Sequence, residues 1–468
     1  MNFSVENSSL IKIFESWAIT DNPMNSTEDL LRWIHERNSE SKVKISKVKY
    51  GYDGFWYYDP NYGGIKNRDN SFFQIKGLRK YEQSVPVYDQ PIILQNEIGY
   101  LGIIGKVING VLYFLMQAKI EPGNVNQIQI SPTIQATKSN FMQAHGGKIP
   151  AYLEYFSHKH NYEIIADQIQ SEQSSRFLGK RNRNIIIIVD DDIEILDTHR
   201  WMTLGQIKQL MHYDNLVNMD TRTVLSCIPF AMRNFSDAEL SHINELFHNK
   251  ALFNSAFQGD AGYSINKIFQ YVNEVKMLDR SSIELVDLYQ LLGWSMQDGE
   301  FKSENGEFKI IYCDIEIAGR EVQKWSQPLL EAAGSSLFGL IFCIEHNKMQ
   351  FLIHTKSEVG CFDKIEVGPS VQFEPVQYSA YTPVDRFFLE QYNCGKKGVK
   401  FEGFFSEEGG RFYQEQNKNV IMQVSRNDLP AILPDGYFWA DFQTLNVLIQ
   451  FNNCLNIQLR NLLSILDI

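Results

Sequence analysis

Residues 89–141 read DQPIILQNEIGYLGIIGKVINGVLYFLMQAKIEPGNVNQIQISPTIQATKSNF, and the organisation of the whole chain follows from them. Apolar, strand-like runs lead into a polar series: Lys119, Glu121, Asn124, Asn126, Gln127, Gln129, Ser131, Thr133, Gln135, Thr137, Ser139 and Asn140. A weaker copy stands downstream. Gln90-Pro91 matches Gln327-Pro328, and Phe114-Leu115 matches Phe351-Leu352. Lys119, Glu121 and Gly123 match Lys356, Glu358 and Gly360, and Pro132 and Gln135 match Pro369 and Gln372. Each pair is 237 positions apart (372 − 135). One register held from Gln90 to Gln135 points to a tandem duplication.

The duplication continues beyond this stretch. SEQSSRFLGKRNRN, residues 171–184, has the polar composition of a linker, yet its residues recur. Ser171-Glu172 and Arg176-Phe177 are matched by Ser406-Glu407 and Arg411-Phe412. Asn182, Arg183 and Asn184 are matched by Asn417, Lys418 and Asn419. Both copies then enter an apolar strand, reach Trp201 or Trp439, and close on a helix with equivalent residues Asn218/Asn456 and Arg222/Arg460. The sequence predicts an α+β fold of two modules. A helical and aromatic-loop segment, 1–80, precedes the body of the first module, 81–232. A helical connector, 233–300, leads to a divergent second module, 301–468.

Local signals fill in elements. Leu10, Ile11, Phe14 and Trp17 recur at helical spacing, and Ser26 is a good N-cap for TEDLLRWIHER. Ser236 caps the first connector helix. YGYDGFWYYDPNYGG, residues 50–64, reads as an aromatic loop suited either to line a ligand site or to pack on its own rings. IGYLGIIGKV and GVLYFLMQAKI flank Asn109-Gly110, the strongest short hairpin signal. Beyond a Pro-Gly-Asn turn, polar side chains fall at alternate positions and so share one face of a strand. Uncharged amides and hydroxyls in such a row suit a polar ligand; a solvated edge strand has the same pattern.

Chain-wide properties narrow the function. At 468 residues with a formal charge of −12, two to four domains are expected, and a nonspecific nucleic-acid or acidic-membrane binder is disfavoured. Six scattered cysteines without a CxxC pair disfavour a zinc ribbon or disulfide scaffold and fit a reducing cytoplasm. There is no apolar leader and no run of about 18 apolar residues. Walker A, Rossmann, HExxH and GxSxG motifs are absent, so no metal or cofactor is expected. Asp190-Asp191-Asp192 is compatible with Mg²⁺ but has no counterpart in the second copy. Arg181 and Arg183, between Asn182 and Asn184, are phosphate candidates, since arginine forks match phosphate oxygens; they serve equally to hold loop backbone. Lys119 and Glu121, two apart at a strand end, put a cation and a base-capable carboxylate on one face, where a plain ion pair is the alternative. His145 is a candidate for acid–base work.

These motifs resemble the NDP-hexose 2,3-dehydratases of deoxysugar biosynthesis. The resemblance rests on FLMQAKIEPGNVNQIQISPTIQATKSNF with the HGG and YLEYF behind it, and on QSEQSSRFLGKRNRN. In the second half it rests on KWSQPLLE, GPSVQFEP and the YFWADFQTL…NIQLRNLL tail. It implies two tandem Nudix-like modules, a homodimer, and loss of water across C2–C3 of a nucleoside-diphosphate 4-keto-6-deoxyhexose, usually the dTDP sugar. It implies no cofactor and a product consumed by a 3-ketoreductase. The clustered glutamates of a Nudix hydrolase are missing. Catalytic candidates are Lys119, Glu121, His145 and Tyr152. Substrate-binding candidates are Asn124, Gln129, Ser131, Thr133, Gln135, Thr137, Ser139, Asn140, Arg176, Arg181, Asn182 and Arg183. A second-copy nucleotide site would use Lys356, Gln372, Arg411, Asn417 and Lys418. Residues found in the first copy alone, Ser131, Thr133, Thr137, Ser139, Asn140 and His145, carry the expectation for the active site. A non-catalytic sugar-nucleotide sensor is the main rival.

Overall fold

The computed structural model describes residues 7–51, 54–138, 149–156, 162–230, 234–318, 323–376 and 380–468. The first half opens with α1 (Asn7–Ala18) and α2 (Thr27–Glu40). Next come β1 (Val43–Val48), β2 (Trp56–Asp59), β3 (Gly64–Asn67), β4 (Gln74–Glu82) and β5 (Val85–Leu94). They lead to β6 (Gly99–Ile108), β7 (Val111–Ile120), β8 (Ile128–Ser131) and β9 (Ile134–Ala136). The half closes with β10 (Glu163–Ser171), β11 (Arg181–Ile188), β12 (His199–Met202), α3 (Leu204–Leu210) and α4 (Met219–Ser226).

The second half begins with α5 (Asp237–Leu246), α6 (Lys250–Phe257) and α7 (Ala261–Leu278). Strands β13 (Ser281–Val286), β14 (Trp294–Gln297), β15 (Glu300–Ser303), β16 (Phe308–Ile317) and β17 (Lys324–Ala332) follow. Then come β18 (Leu337–Glu345), β19 (Lys348–Lys356), β20 (Glu366–Gly368), β21 (Val371–Phe373) and α8 (Pro383–Asn393). Last are β22 (Val399–Ser406), β23 (Gln416–Gln423), β24 (Tyr437–Asp441), α9 (Phe442–Leu448) and α10 (Ile457–Ile465).

The fold is α+β, with two repeated sheet-rich modules. The large sheet of the first half has the order β10-β11-β6-β7-β12, with β8 on β7 and β9 on β6. That of the second half has β22-β23-β18-β19-β20, with β21 on β18 and β24 on β19, so the two match strand for strand. The Asn109-Gly110 hairpin forms, with φ of 51° and 87°, as a type I′ turn requires. Ser26 caps α2 in a capping box, Asp29 N–H donating to its Oγ at 3.1 Å, and Ser236 caps α5 in the same way. Both faces of the β6–β7 hairpin are buried. Ile103, Phe114 and Met116 join a helix-covered core that runs from Leu10 to Ile468, while Ile104, Tyr113 and Leu115 pack on the other side.

Two smaller sheets hold the main departures from expectation. The first half supplies β2, β3, β4 and β5, but their edge partner is β13 of the second half (Ser281 opposite Glu82, Val286 opposite Gly77). The second half supplies β14, β15, β16 and β17, and their edge partner is β1 of the first (Val43 opposite Ile317). The halves thus exchange a strand reciprocally. The connector expected over 233–300 is α-helical only to Leu278; β13 then adds an edge to one small sheet, a 3-10 turn spans Leu288–Gln290, and β14 and the start of β15 belong to the other small sheet. The aromatic stretch 50–64 is not one loop. Trp56–Asp59 pairs with Gly64–Asn67, and Tyr50 and Trp56 are buried in the core shared by the two small sheets. Arg181 and Arg183 lie on β11 rather than in a turn, since the ladder with β10 begins at Ser171/Arg181.

Candidate active site

Each large sheet splits. β6 and β7 pair from Ile104/Leu115 down to their hairpin, then diverge. Above that point β8 pairs with β7 (Lys119 opposite Gln129) and β9 with β6 (Tyr100 opposite Ala136). A chain of polar side chains lines the split. Asn218, N-cap of α4, donates from Nδ2 to Ser131 Oγ at 2.9 Å and Gln135 Oε1 at 3.2 Å. Gln135 Nε2 donates to Glu121 Oε1 at 3.1 Å, and Lys119 Nζ stands 3.3 Å from that same oxygen. The second half repeats the chain: Asn456 to Gln372 at 3.3 Å, then Gln372 to Glu358 at 2.8 Å.

Neither split is closed by its own half. Gly123 N–H donates to Gly409 O, and Gln414 N–H to Gly123 O, both at 2.7 Å. In mirror fashion Gly360 N–H donates to Ser174 O and Gly179 N–H to Gly360 O, both at 2.8 Å. These approaches need glycine: a Cβ on Gly123 would sit 1.6 Å from Phe412 O, and one on Gly360 1.9 Å from Phe177 O. Arg222 Nη2 donates to Ser406 O at 3.0 Å, and Arg460 Nη2 bonds Ser171 O. The loop after β10 in the first half and its counterpart after β22 in the second are therefore each latched onto the other half's split. Glu408 and Arg411 come to the first split, and Arg176, bonded to Glu307 at 2.9 Å, to the second.

Comparison with known proteins agrees with this two-fold arrangement. The NDP-hexose 2,3-dehydratase family model matches the chain twice, over residues 27–228 and 265–466. The chain belongs to the NDP-hexose 2,3-dehydratase family. Three relatives carry the name dTDP-4-dehydro-6-deoxy-alpha-D-glucopyranose 2,3-dehydratase. The one from Saccharopolyspora spinosa is 35% identical over 95% of this chain and 92% of its own length. That from Amycolatopsis orientalis is 32% identical over 97% and 93%, and that from Streptomyces violaceoruber 33% over 92% and 95%. This dehydratase is accordingly a hydro-lyase. Its second match starts inside α7, which assigns α7 and β13 to the second repeat.

Electrostatics separate the two splits. Around the first, burial pushes the Glu172 carboxyl up to about 7 and the Asp220 carboxyl well above its usual range. Burial also raises Glu408, with Arg411 opposing and Glu121 assisting. Lys180 is lowered by burial, against the pull of Glu172 and Glu408. Its Nζ donates to Glu97 O at 2.6 Å and Asn182 Oδ1 at 2.9 Å. Around the second, burial pushes Glu366 to about 7, Glu407 to about 8 and Glu415 to about 7. The aligned positions explain the contrast. Gln129, Thr137 and Lys180 of the first copy are Glu366, Glu374 and Glu415 in the second. At these positions the second split has three carboxylates for a cation and two neutral groups, while Asp220 and Glu408 of the first split are replaced by Gln458 and Gln173, a net gain of one carboxylate and loss of one cation.

The expected residues divide accordingly. Lys119, Glu121, Ser131 and Gln135 converge. Asn182 stands behind them, its Nδ2 donating to Glu172 Oε1 at 2.5 Å. Gln129 donates to Ser406 Oγ at 2.6 Å and Asn124 to Gln127 O at 2.9 Å, so both hold loops. Thr133 is a structural bridge: Ile104 N–H donates to its Oγ1, which donates to Leu115 O. Ser370 makes the same two bonds, so this residue does not distinguish the copies. Tyr152 is engaged by backbone, its hydroxyl donating to Glu194 O and accepting from Leu196 N–H. Thr137 follows β9 at the end of the described strand.

The phosphate candidates have partners. Arg183 is paired with Asp167 at 2.6 Å, and Arg181 lies over the Phe362 ring at 3.7 Å. Of the second-copy set, Lys356 and Gln372 share the second split. Asn417 donates to Glu407, Lys418 pairs with Glu402 at 3.4 Å, and Arg411 donates to Gln95 of the first half. Ser139, Asn140 and His145 lie outside the described residues. Sequence reasoning passed over Glu172, Lys180, Asp220 and Glu408. It also passed over His199, a buried imidazole pushed down to about 4 by desolvation, its ring 4.8 Å from that of Tyr152. The match of Glu172 to Glu407 was a usable signal; nothing local marks Glu408.

Proposed function

We propose that this dehydratase removes water across C2–C3 of dTDP-4-keto-6-deoxyglucose in the split of the first repeat. The supporting observation is the Lys119–Glu121 pair, held by Gln135 in a split that also has Lys180 and Arg411 near it. The carboxylate-rich second split suits a diphosphate less well, because like charges repel in a low dielectric. The C4 ketone acidifies C3–H. Glu121 takes that proton, and Lys119 stabilises the enolate oxygen. The C2 hydroxyl leaves, and the enol tautomerises to a 2,6-dideoxy-3,4-diketo sugar. No external electron or hydride is needed. In this reading each repeat is a Nudix-like module, and the enzyme is a cytoplasmic homodimer that passes its product to a 3-ketoreductase; these points follow from the resemblance. The relatives' names support the dTDP sugar as substrate.

The test is incubation with dTDP-4-keto-6-deoxyglucose, with a 3-ketoreductase and NADPH as trap. The expected result is a 2-deoxy product. Binding without turnover would identify a sensor, and release of a nucleoside monophosphate a hydrolase.

A further inference from the structure

The dehydration leaves one reacting group to be provided for: the C2 hydroxyl departs as water and needs a proton. We infer that Glu408, a side chain of the second repeat, is the acid that supplies it in the first repeat's split; the inference rests on the reaction proposed above.

Placement is the first argument. Glu408 precedes the glycine pair that docks against Glu121 and Asn124, a contact closed by the Gly123–Gly409 bond. A Cβ on Gly409 would lie 2.9 Å from Glu121 Cβ. A Cβ on Gly410 would lie 2.8 Å from Glu408 Oε1 and 3.6 Å from Glu121 Oε1. The two carboxyl groups thus flank the same small volume beside a backbone with no side chain to fill it. A base and an acid that act at adjacent carbons need this proximity.

Reach is the second. Glu172 and Asp220, two further carboxyls of this cluster, are only 3% and 2% exposed, whereas Glu408 keeps part of its surface exposed. Asymmetry is the third. The position equivalent to Glu408 in the other loop is Gln173, so the second split receives an amide where the first receives a carboxyl. The surroundings suit the role. Burial and the charge of Glu121 favour the protonated carboxyl, while Arg411, Lys180 and Lys119 oppose it; Glu172 and Asp220 stand behind.

The protons balance. Glu121 takes the C3 proton, and the enolate electrons form C2=C3 as the C2–O bond breaks. Glu408 gives its proton to the departing hydroxyl, which leaves as water. In the tautomerisation Glu121 returns its proton to C2, and the Glu408 carboxylate takes the O3 proton. Both groups are reset.

Two readouts on the full chain test this: exchange of C3–H with D₂O, and formation of the trapped 2-deoxy product. Glu408→Gln is expected to retain exchange while product formation falls about 100-fold or more. Glu121→Gln is expected to lose both. Glu408→Asp, which keeps the acid, is expected to recover part of the product rate and stands in if the glutamine variant does not fold. The proposal is overturned if Glu408→Gln forms product at the wild-type rate, or if it loses exchange and product together. Wild-type protein that neither exchanges nor eliminates would overturn the dehydratase reading itself.

Discussion

Gln135 Nε2 donates to Glu121 Oε1 at 3.1 Å, and 237 positions later Gln372 Nε2 donates to Glu358 Oε1 at 2.8 Å. The same amide orients the same carboxylate in both repeats. The bond is therefore part of how the split is built, and what distinguishes the copies is the charge around it.

This gives the first prediction. Glu121→Gln should lower kcat by about 10²–10⁴-fold, the range for loss of a positioned base. Glu358→Gln, in the second split, should leave kcat near wild type while altering thermal stability. Steady-state kinetics on both variants checks it. A folded Glu358→Gln protein without turnover would place the chemistry in the wrong repeat.

The loop latch gives the second. A methyl group at Gly123 cannot coexist with Phe412 O at 1.6 Å, so Gly123→Ala must push the second repeat's loop away. Overpacking of this kind costs about 1–3 kcal/mol or more. Lower thermal stability is expected together with loss of activity, because Glu408 and Arg411 move with the loop. Calorimetry and turnover on the one variant read both effects.

Glu366 gives the third. It occupies the position of Gln129, whose Nε2 donates to Ser406 Oγ, and it faces the equivalent Ser171. Burial raises its carboxyl to about 7. A raised carboxyl contributes stability that is complete below about 4.5 and lost as pH rises through about 7. Glu366→Gln should therefore be more stable than wild type at pH 8, by on the order of 2–3 kcal/mol, with little difference at pH 4.5. Denaturant melts at the two pH values measure it; equal shifts at both would refute the titration.

The strand exchange gives the fourth. Residues 1–232 alone would leave β1 without β16 and β4 without β13, exposing strand edges that favour aggregation. Each half expressed separately should fail to give a soluble cooperative fold, and co-expressed halves should associate and recover activity. Sedimentation and the product assay distinguish these outcomes. A stable, monomeric first half would show that the exchange is dispensable.

Much of the local structure was legible in the sequence. α1, the capping boxes at Ser26 and Ser236, and the Asn109-Gly110 turn are set by residues within a few positions of one another. The duplication was legible as well, because it leaves one register across Lys119/Lys356, Glu121/Glu358 and Gln135/Gln372. The polar row was harder. Alternation places Ser131, Thr133 and Gln135 near one another but does not say which hydroxyl is used by backbone, as Thr133 is.

By itself, then, the sequence determined the repeat, those elements set by local signals, its family resemblance and the Lys119–Glu121 pair. Tertiary structure alone decided which copy partners which. β1 finds β16 and β13 finds β4, and the loop carrying Glu408 docks on Gly123 rather than Gly360. The reason is physical. Two copies of one module present similar strand edges and similar glycine seats, so local pattern does not separate pairing within a copy from pairing across copies. Only the three-dimensional closure of both cores makes the choice. That choice brings the second repeat's carboxyl to the first repeat's base.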